Sequence, residues 1–199
     1  MMYAVQIDGL ALTLETDPSL FSPRGLDAGT RAMLSTLRLT PEDKVLDLGC
    51  GCGVVGIWAA RQIGPERVTL CDCDPLAVRL ARENAARNGA AGVRVLQSDG
   101  FRQLDDTGYT LILSNPPYHT DFHVAKQFIE KGFNRLALGG RMVMVTKRLD
   151  WYRNKLTAIF GGVRVQELDG YYVFCAEKRN TQYAGVQPVK KKKRGVSER

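Results

Sequence analysis

Residues 44–63, KVLDLGCGCGVVGIWAARQI, restrict the possible fold more than any other stretch. A short apolar run ends on closely spaced glycines, and apolar residues then recur at helical spacing. That is a buried strand turning sharply into a helix. The pattern repeats. RVTLCD (67–72) reads as a second strand, Asp74 and Pro75 as the N-cap and first residue of a helix, and Gly89 as its stop. VRVLQSD (93–99) and YTLILSN (109–115) give third and fourth strands, a helix spans about 123–138, and RMVMVT (141–146) gives a fifth strand. Beyond a helix near 150–160, VRVQELDG and YYVFCAEK meet at Asp169-Gly170, a hairpin signal. The expected fold is α/β, a three-layer, Rossmann-like sandwich whose mostly parallel seven-stranded sheet ends in an antiparallel hairpin. Residues 1–30 hold short alternating segments and turn signals, and a helix is expected from about 29 to 37.

At 199 residues the chain is long enough for one domain with a substantial core. No apolar run approaches the roughly 18 residues needed to cross a bilayer, and the start lacks a basic-then-apolar leader pattern. The expectation is a cytoplasmic protein with no membrane partner, and an odd count of five cysteines agrees with reduced thiols. The net charge of +7 is concentrated: residues 181–199 carry six basic side chains and one acid, leaving +2 for the other 180 residues. A single domain over 1–180 is therefore expected, followed by a basic, disordered tail suited to a polyanion such as RNA.

Gly51, Gly53 and Gly56 match the dinucleotide fingerprint, and Asp72 falls where a ribose-binding acid belongs. Charge argues against a dinucleotide. Asp47 closes the strand just before the glycines, where a pyrophosphate would lie, and a fixed carboxylate there repels phosphate. S-adenosylmethionine has no phosphate and carries a cationic ammonium and sulfonium. Asp47 suits those cations, Gly49, Gly51 and Gly53 allow close backbone approach, and Asp72 with its neighbour Cys73 suits the ribose. Asp99 and Gly100 end the third strand, where Asp99 can accept from the adenine amino group, and Asn115, ending the fourth near the methyl sulfonium, is a further candidate cofactor contact. The spacings Cys50-x-Cys52 and Cys71-x-Cys73 are unlike usual zinc ligands, and a metal there would block the nucleotide, so none is expected.

The fourth strand runs into Asn115-Pro116-Pro117-Tyr118. An exocyclic amine is a weak nucleophile because its lone pair is delocalised into the ring. An amide oxygen on Asn115 and the Pro116 carbonyl can accept its two N–H groups and hold it in line with a methyl group. The prolines fix φ, and Tyr118 offers a flat ring for stacking. No strong general base is required, since proximity alone can contribute ~7–11 kcal/mol.

DLGCGCG together with NPPY resembles the class I S-adenosylmethionine-dependent methyltransferases that act on planar amino groups. The histidine after NPPY and the upstream LFSPRGLDAGTRAML are similar to the catalytic domain of small-subunit ribosomal RNA guanine-N2 methyltransferases. The resemblance spans about residues 10–178. It implies that Phe21, Gly25 and 27–30 close over the cofactor, with residues 1–40 forming that closing segment, and that the substrate is guanine N2 in ribosomal RNA or a ribosomal subunit. Bacterial enzymes of that type carry a second, degenerate methyltransferase domain in front, which these 199 residues lack, so the exact target site does not follow from the resemblance. Phe21, His119, Lys147 and Arg148 are candidate substrate contacts, with His123 a weaker one. Trp151, Tyr152, Tyr171, Tyr172 and Phe174 are expected in the core or on the sheet face. The alternatives are an N6-adenine or protein-glutamine methyltransferase, a non-catalytic RNA-binding module, and the NAD oxidoreductase that a bare fingerprint suggests. Oligomeric state is left open.

Overall fold

In the computed structural model, which describes residues 1–20, 25–116 and 122–185, the regular strand–helix alternation becomes one seven-stranded sheet. Its strands are β3 (Val45–Leu48), β4 (Val68–Asp72), β5 (Arg94–Gln97), β6 (Tyr109–Ser114), β7 (Leu136–Thr146), β8 (Arg164–Leu168) and β9 (Tyr171–Glu177). The order is β5-β4-β3-β6-β7-β9-β8. The first four pairings, β5 through β7, are parallel, and β9 runs antiparallel to both β7 and β8. From β3 the chain winds one way through β4 and β5, then returns to lay β6 on the other side of β3. That reversal opens a crevice at the carboxyl ends of β3 and β6, the usual ligand position in open α/β sheets.

Two-residue alternation distributes the strand side chains between two cores. Val45, Leu111, Leu113, Val143 and Val145 face one side, against α1 (Ala28–Ser35), α2 (Val54–Ile63) and α3 (Pro75–Arg87). Leu46, Leu48, Ile112, Met142 and Met144 face the other, against α4 (His123–Arg135) and α5 (Leu149–Phe160). Asp47 shares the parity of Val45, so its carboxylate is directed into the α2 side of the sandwich. No helix among the described residues is long and apolar enough to cross a membrane.

Three segments differ from the sequence reading. The helix expected to reach residue 138 ends at Arg135, and Leu136 already begins β7, paired with Tyr109. Gly139 and Gly140 lie within that strand and exchange backbone hydrogen bonds with Lys178. The alternating N-terminal segment is a separate two-stranded hairpin, β1 (Met2–Ile7) with β2 (Leu10–Glu15), turning at Asp8-Gly9 with positive φ at both residues. Finally, residues 181–185, expected to start the tail, pack back on the domain. Tyr183 donates to the Glu130 carbonyl at 2.9 Å, and Ala184 and Gly185 bond the last turn of α5. The rest of the basic tail lies outside the described residues.

The hairpin is docked by two helical asparagines. Asn84 on α3 and Asn88, the C-cap one turn later, each place an amide against the free edge of β2. Asn84 accepts from the Glu15 N–H and donates to the Glu15 carbonyl, and Asn88 does the same with Thr13. A helical rise of four residues, ~6 Å, matches two residues of strand, ~6.7 Å, so the two side chains substitute for a neighbouring strand. Asn84 also donates to the Cys52 carbonyl at 2.9 Å, tying the hairpin to the glycine turn.

Candidate active site

The glycine turn between β3 and α2 is built by close packing as much as by backbone freedom. Gly53 has φ +92 and caps α2, and a Cβ there would sit 3.1–3.2 Å from Ala81, Ile57 and Leu70. At Gly56 an added methyl would overlap the Leu70 side chain outright. This lets α2 lie close on β4, and its first turn then presents the Gly56 N–H to Asp47 Oδ2 at 2.8 Å. Asp47 is only 3% exposed. Burial, opposed by the Gly56 bond and reinforced by the nearby Asp72 charge, pushes its carboxyl from 3.8 up to about 7. Burial likewise pushes the Cys50 and Cys71 thiols up, away from the reactive thiolate.

Asp72, at the end of β4, accepts the Gly51 N–H on one oxygen (2.9 Å) and the Asp74 N–H on the other (3.0 Å). Each oxygen keeps a lone pair for a further donor. Asp99 is well exposed, with Arg102 3.6 Å away, on a turn folded by the Ser98 hydroxyl donating to the Gly100 carbonyl. Asn115 follows β6 directly; its Nδ2 donates to Asp27 Oδ2 at 2.8 Å and to Thr30 Oγ1 at 3.0 Å. Asp27 is also the N-cap of α1, accepting the Thr30 N–H.

These residues meet around one cavity of about 360 Å³, lined by Asp47, Gly49, Gly51, Asp72, Cys73, Asp99, Gly100, Asn115 and Pro116. Gly53 stands behind it, as helix cap. Sequence reasoning missed its apolar wall: Phe128 and Val124 from α4, Leu20 from the N-terminal segment, and Ala77 from α3. Phe128 touches the turns at both Gly49 and Gly100, as a helical face residue whose periodicity marks burial but gives no sign of a cavity. Among the described lining residues five are aspartates, Asp27, Asp47, Asp72, Asp74 and Asp99, and none is lysine or arginine. A wider, shallow depression of about 650 Å³ near Arg61, Arg87 and Asn88 gathers none of the expected site residues.

Lys147 and Arg148 follow β7 directly at the same sheet edge but do not line the cavity. Lys147 lies over the Tyr171 ring and Arg148 over Phe122, which stacks on Trp151 at 4.3 Å. Tyr152, Tyr171 and Phe174 are buried, as expected. His123 opens α4 on the surface, its ring nitrogen 2.8 Å from the Gln127 amide. Phe21, Pro117, Tyr118 and His119 lie outside the described residues.

The family described as methyltransferase small domain matches residues 11–175. The chain is 36% identical over 171 residues to the ribosomal RNA small subunit methyltransferase C of Cronobacter sakazakii, covering 84% of this chain and 49% of that protein. An Escherichia coli protein of the same name is 37% identical over 159 residues, covering 78% of this chain and 45% of that one. Among solved structures, a T. thermophilus 16S rRNA N2 G1207 methyltransferase in complex with AdoMet and guanosine aligns with TM-score 0.83 and 27% identity, over 90% of this chain and 50% of that chain. TrmN from Thermus thermophilus aligns with TM-score 0.66 and 28% identity, over 79% of this chain and 51% of that one. The chain thus spans about half the length of these relatives.

Proposed function

The chain belongs to the methyltransferase small domain family, and we propose that it transfers a methyl group from S-adenosylmethionine to the exocyclic N2 of guanine in ribosomal RNA. The observation that carries this reading is the acidic cavity ending on Asn115-Pro116. Five aspartates with no lysine or arginine among the described lining residues suit a cationic, phosphate-free ligand and disfavour a dinucleotide. The residues fit the methyl donor. Asp47, buried and holding its proton up to about pH 7, ionises more readily beside a cation, and the donor has an ammonium. Asp72 retains an acceptor site on each oxygen for two ribose hydroxyls, and Asp99 at the cavity rim is an acceptor for the adenine amino group.

When bound, S-adenosylmethionine supplies a methyl group on a cationic sulfonium. The Asn115 amide oxygen and the Pro116 carbonyl accept the two N–H bonds of the incoming amine, orienting its lone pair toward the donor side of the cavity. Those bonds strengthen as the nitrogen becomes more tetrahedral and positive, so they favour the transition state over the ground state. The methylated nitrogen is a strong acid and releases its proton to water, so Asn115 and Pro116 act through positioning and electrostatics. Lys147 and Arg148, on the same edge, contact the RNA backbone in this reading, and the basic tail adds a non-specific hold. Small-subunit ribosomal RNA is drawn from the names of the two methyltransferase C relatives, and guanine N2 from the name of the T. thermophilus enzyme. A cytoplasmic location follows from that substrate.

The test is incubation with methyl-labelled S-adenosylmethionine and small-subunit ribosomal RNA, free and as assembled subunits, then digestion to nucleosides. Label in N2-methylguanosine is expected. Label in N6-methyladenosine, or in protein glutamine, would overturn the substrate; no label in any fraction would overturn the activity.

A further inference from the structure

Resting on the reading of Asn115 as the acceptor of an amine, its orientation becomes a question of its own. A primary amide is nearly symmetric in shape but opposite in chemistry at its two ends, with two N–H donors on one and an acceptor oxygen on the other. Only the oxygen can receive an amine. The partners on the far side decide which end faces the cavity. Thr30 Oγ1, 3.0 Å away, could accept or donate and would tolerate either orientation. Asp27 Oδ2, at 2.8 Å, is a carboxylate oxygen and accepts only. Turned over, the Asn115 oxygen would sit against that carboxylate, exchanging a charge-assisted hydrogen bond for a repulsion. Among the described residues both N–H groups of Asn115 are occupied, and Oδ1 is the atom left for a methyl acceptor.

We propose that Asp27, with Thr30, is the positioning residue that turns the accepting face of Asn115 toward the substrate. The segment before α1 thereby acts at the nucleophile end of the cavity, across 88 residues of sequence. Within α1 itself Gly29 packs against the Tyr171 ring, and Ala32, Met33 and Leu34 are buried in the α1 side of the sandwich, so these residues do not supply the same discrimination.

Asp27 also caps α1 through the same oxygen, so a test has to separate the two roles. Asp27→Ser keeps a capping hydroxyl on the first side-chain carbon, one bond too short to reach Asn115 as well. Asp27→Asn keeps an acceptor oxygen at full length and a competent cap. With the RNA and labelled donor used above, Asp27→Ser is expected to lower kcat about 10- to 100-fold, the scale of a misplaced reacting group, with donor Kd changed less than about threefold. Asp27→Asn is expected to recover much of that loss. A residue that only caps the helix predicts near-normal turnover in both variants, and that result would overturn the proposal. Parallel loss of donor binding and turnover in Asp27→Ser would overturn it too, by moving the role to the donor.

A second measurement needs no substrate. In ¹⁵N spectra of the free protein, the Asn115 side-chain protons are expected to be shifted and protected from solvent exchange in wild type and Asp27→Asn, and to become solvent-like in Asp27→Ser. Asn115 resonances unchanged in Asp27→Ser would contradict the assignment. Wild type that fails to methylate RNA strikes the proposed function, while these resonances still decide the role of Asp27.

Discussion

Asp47 makes a stability prediction that depends on no ligand. Its carboxyl titrates near 3.8 when free and at about 7 in the fold, chiefly because it is buried. Between those values the native protein holds a proton that the unfolded chain has released. Stability therefore falls as pH rises through the window and levels off above about 7. A shift of about three pH units, at about 1.36 kcal/mol each, sets the full span at roughly 4 kcal/mol, of which about 2–3 kcal/mol falls between pH 5 and pH 8. Asp47→Asn cannot titrate and can still accept the Gly56 N–H. Urea unfolding of both proteins across pH 5–8 should show the variant gaining on wild type by about 2–3 kcal/mol as pH rises. Carboxylates that do not interact with Asp47 cancel in the difference. Saturating S-adenosylmethionine should flatten the wild-type slope, because an ammonium partner stabilises the ionised carboxylate and lowers its pKa. A wild-type-minus-variant difference that is flat with pH would refute the reasoning, showing that Asp47 ionises normally despite its burial.

Three further outcomes can be checked. Gly56→Ala forces a methyl into Leu70 and should cost about 1–3 kcal/mol in urea unfolding; an unchanged midpoint would mean that α2 and β4 are loosely packed. Asn84→Ala leaves the Glu15 and Cys52 backbone groups without their partner and should cost at least about 2 kcal/mol. Faster proteolysis within residues 1–20 should accompany that loss, and its absence would show that the hairpin stays docked without Asn84. Deleting residues 186–199, which hold six basic side chains, should weaken RNA binding mainly at low salt and reduce the salt slope; an unchanged slope would make the tail a passive terminus.

The parallel part of the sheet is legible because its strands are short, largely apolar runs that stop at glycine or polar residues, a pattern that arises from burial on both faces. The same reasoning placed Asp47, Asp72, Asp99 and Asn115 at strand ends, and the topology carries them to one crevice. Leu136-Ala137-Leu138 favours helix locally, while the pairing of Leu136 with Tyr109 and the backbone bonds of the adjacent Gly139 and Gly140 to Lys178 draw the segment into β7. Asp8-Gly9 carries the same signal as Asp169-Gly170, and both turns adopt the same left-handed pair of residues. Asn84 and Asn88 read as a polar helix face, and only a neighbouring strand edge reveals their purpose. The contact of Asp27 with Asn115 is longer in range still. Spacing cannot signal it, because its two ends meet only when the sheet has formed.

The account turns on Asn115 serving the amine and not the donor. Donor Kd and single-turnover methyl transfer to small-subunit ribosomal RNA, measured side by side in wild type and Asn115→Ala, test that division most directly. Transfer should fall about 10²- to 10³-fold, as when a transition-state hydrogen-bond partner is removed, with donor Kd changed only a few-fold. Normal transfer, or a loss of donor binding that matches the loss of rate, would contradict it.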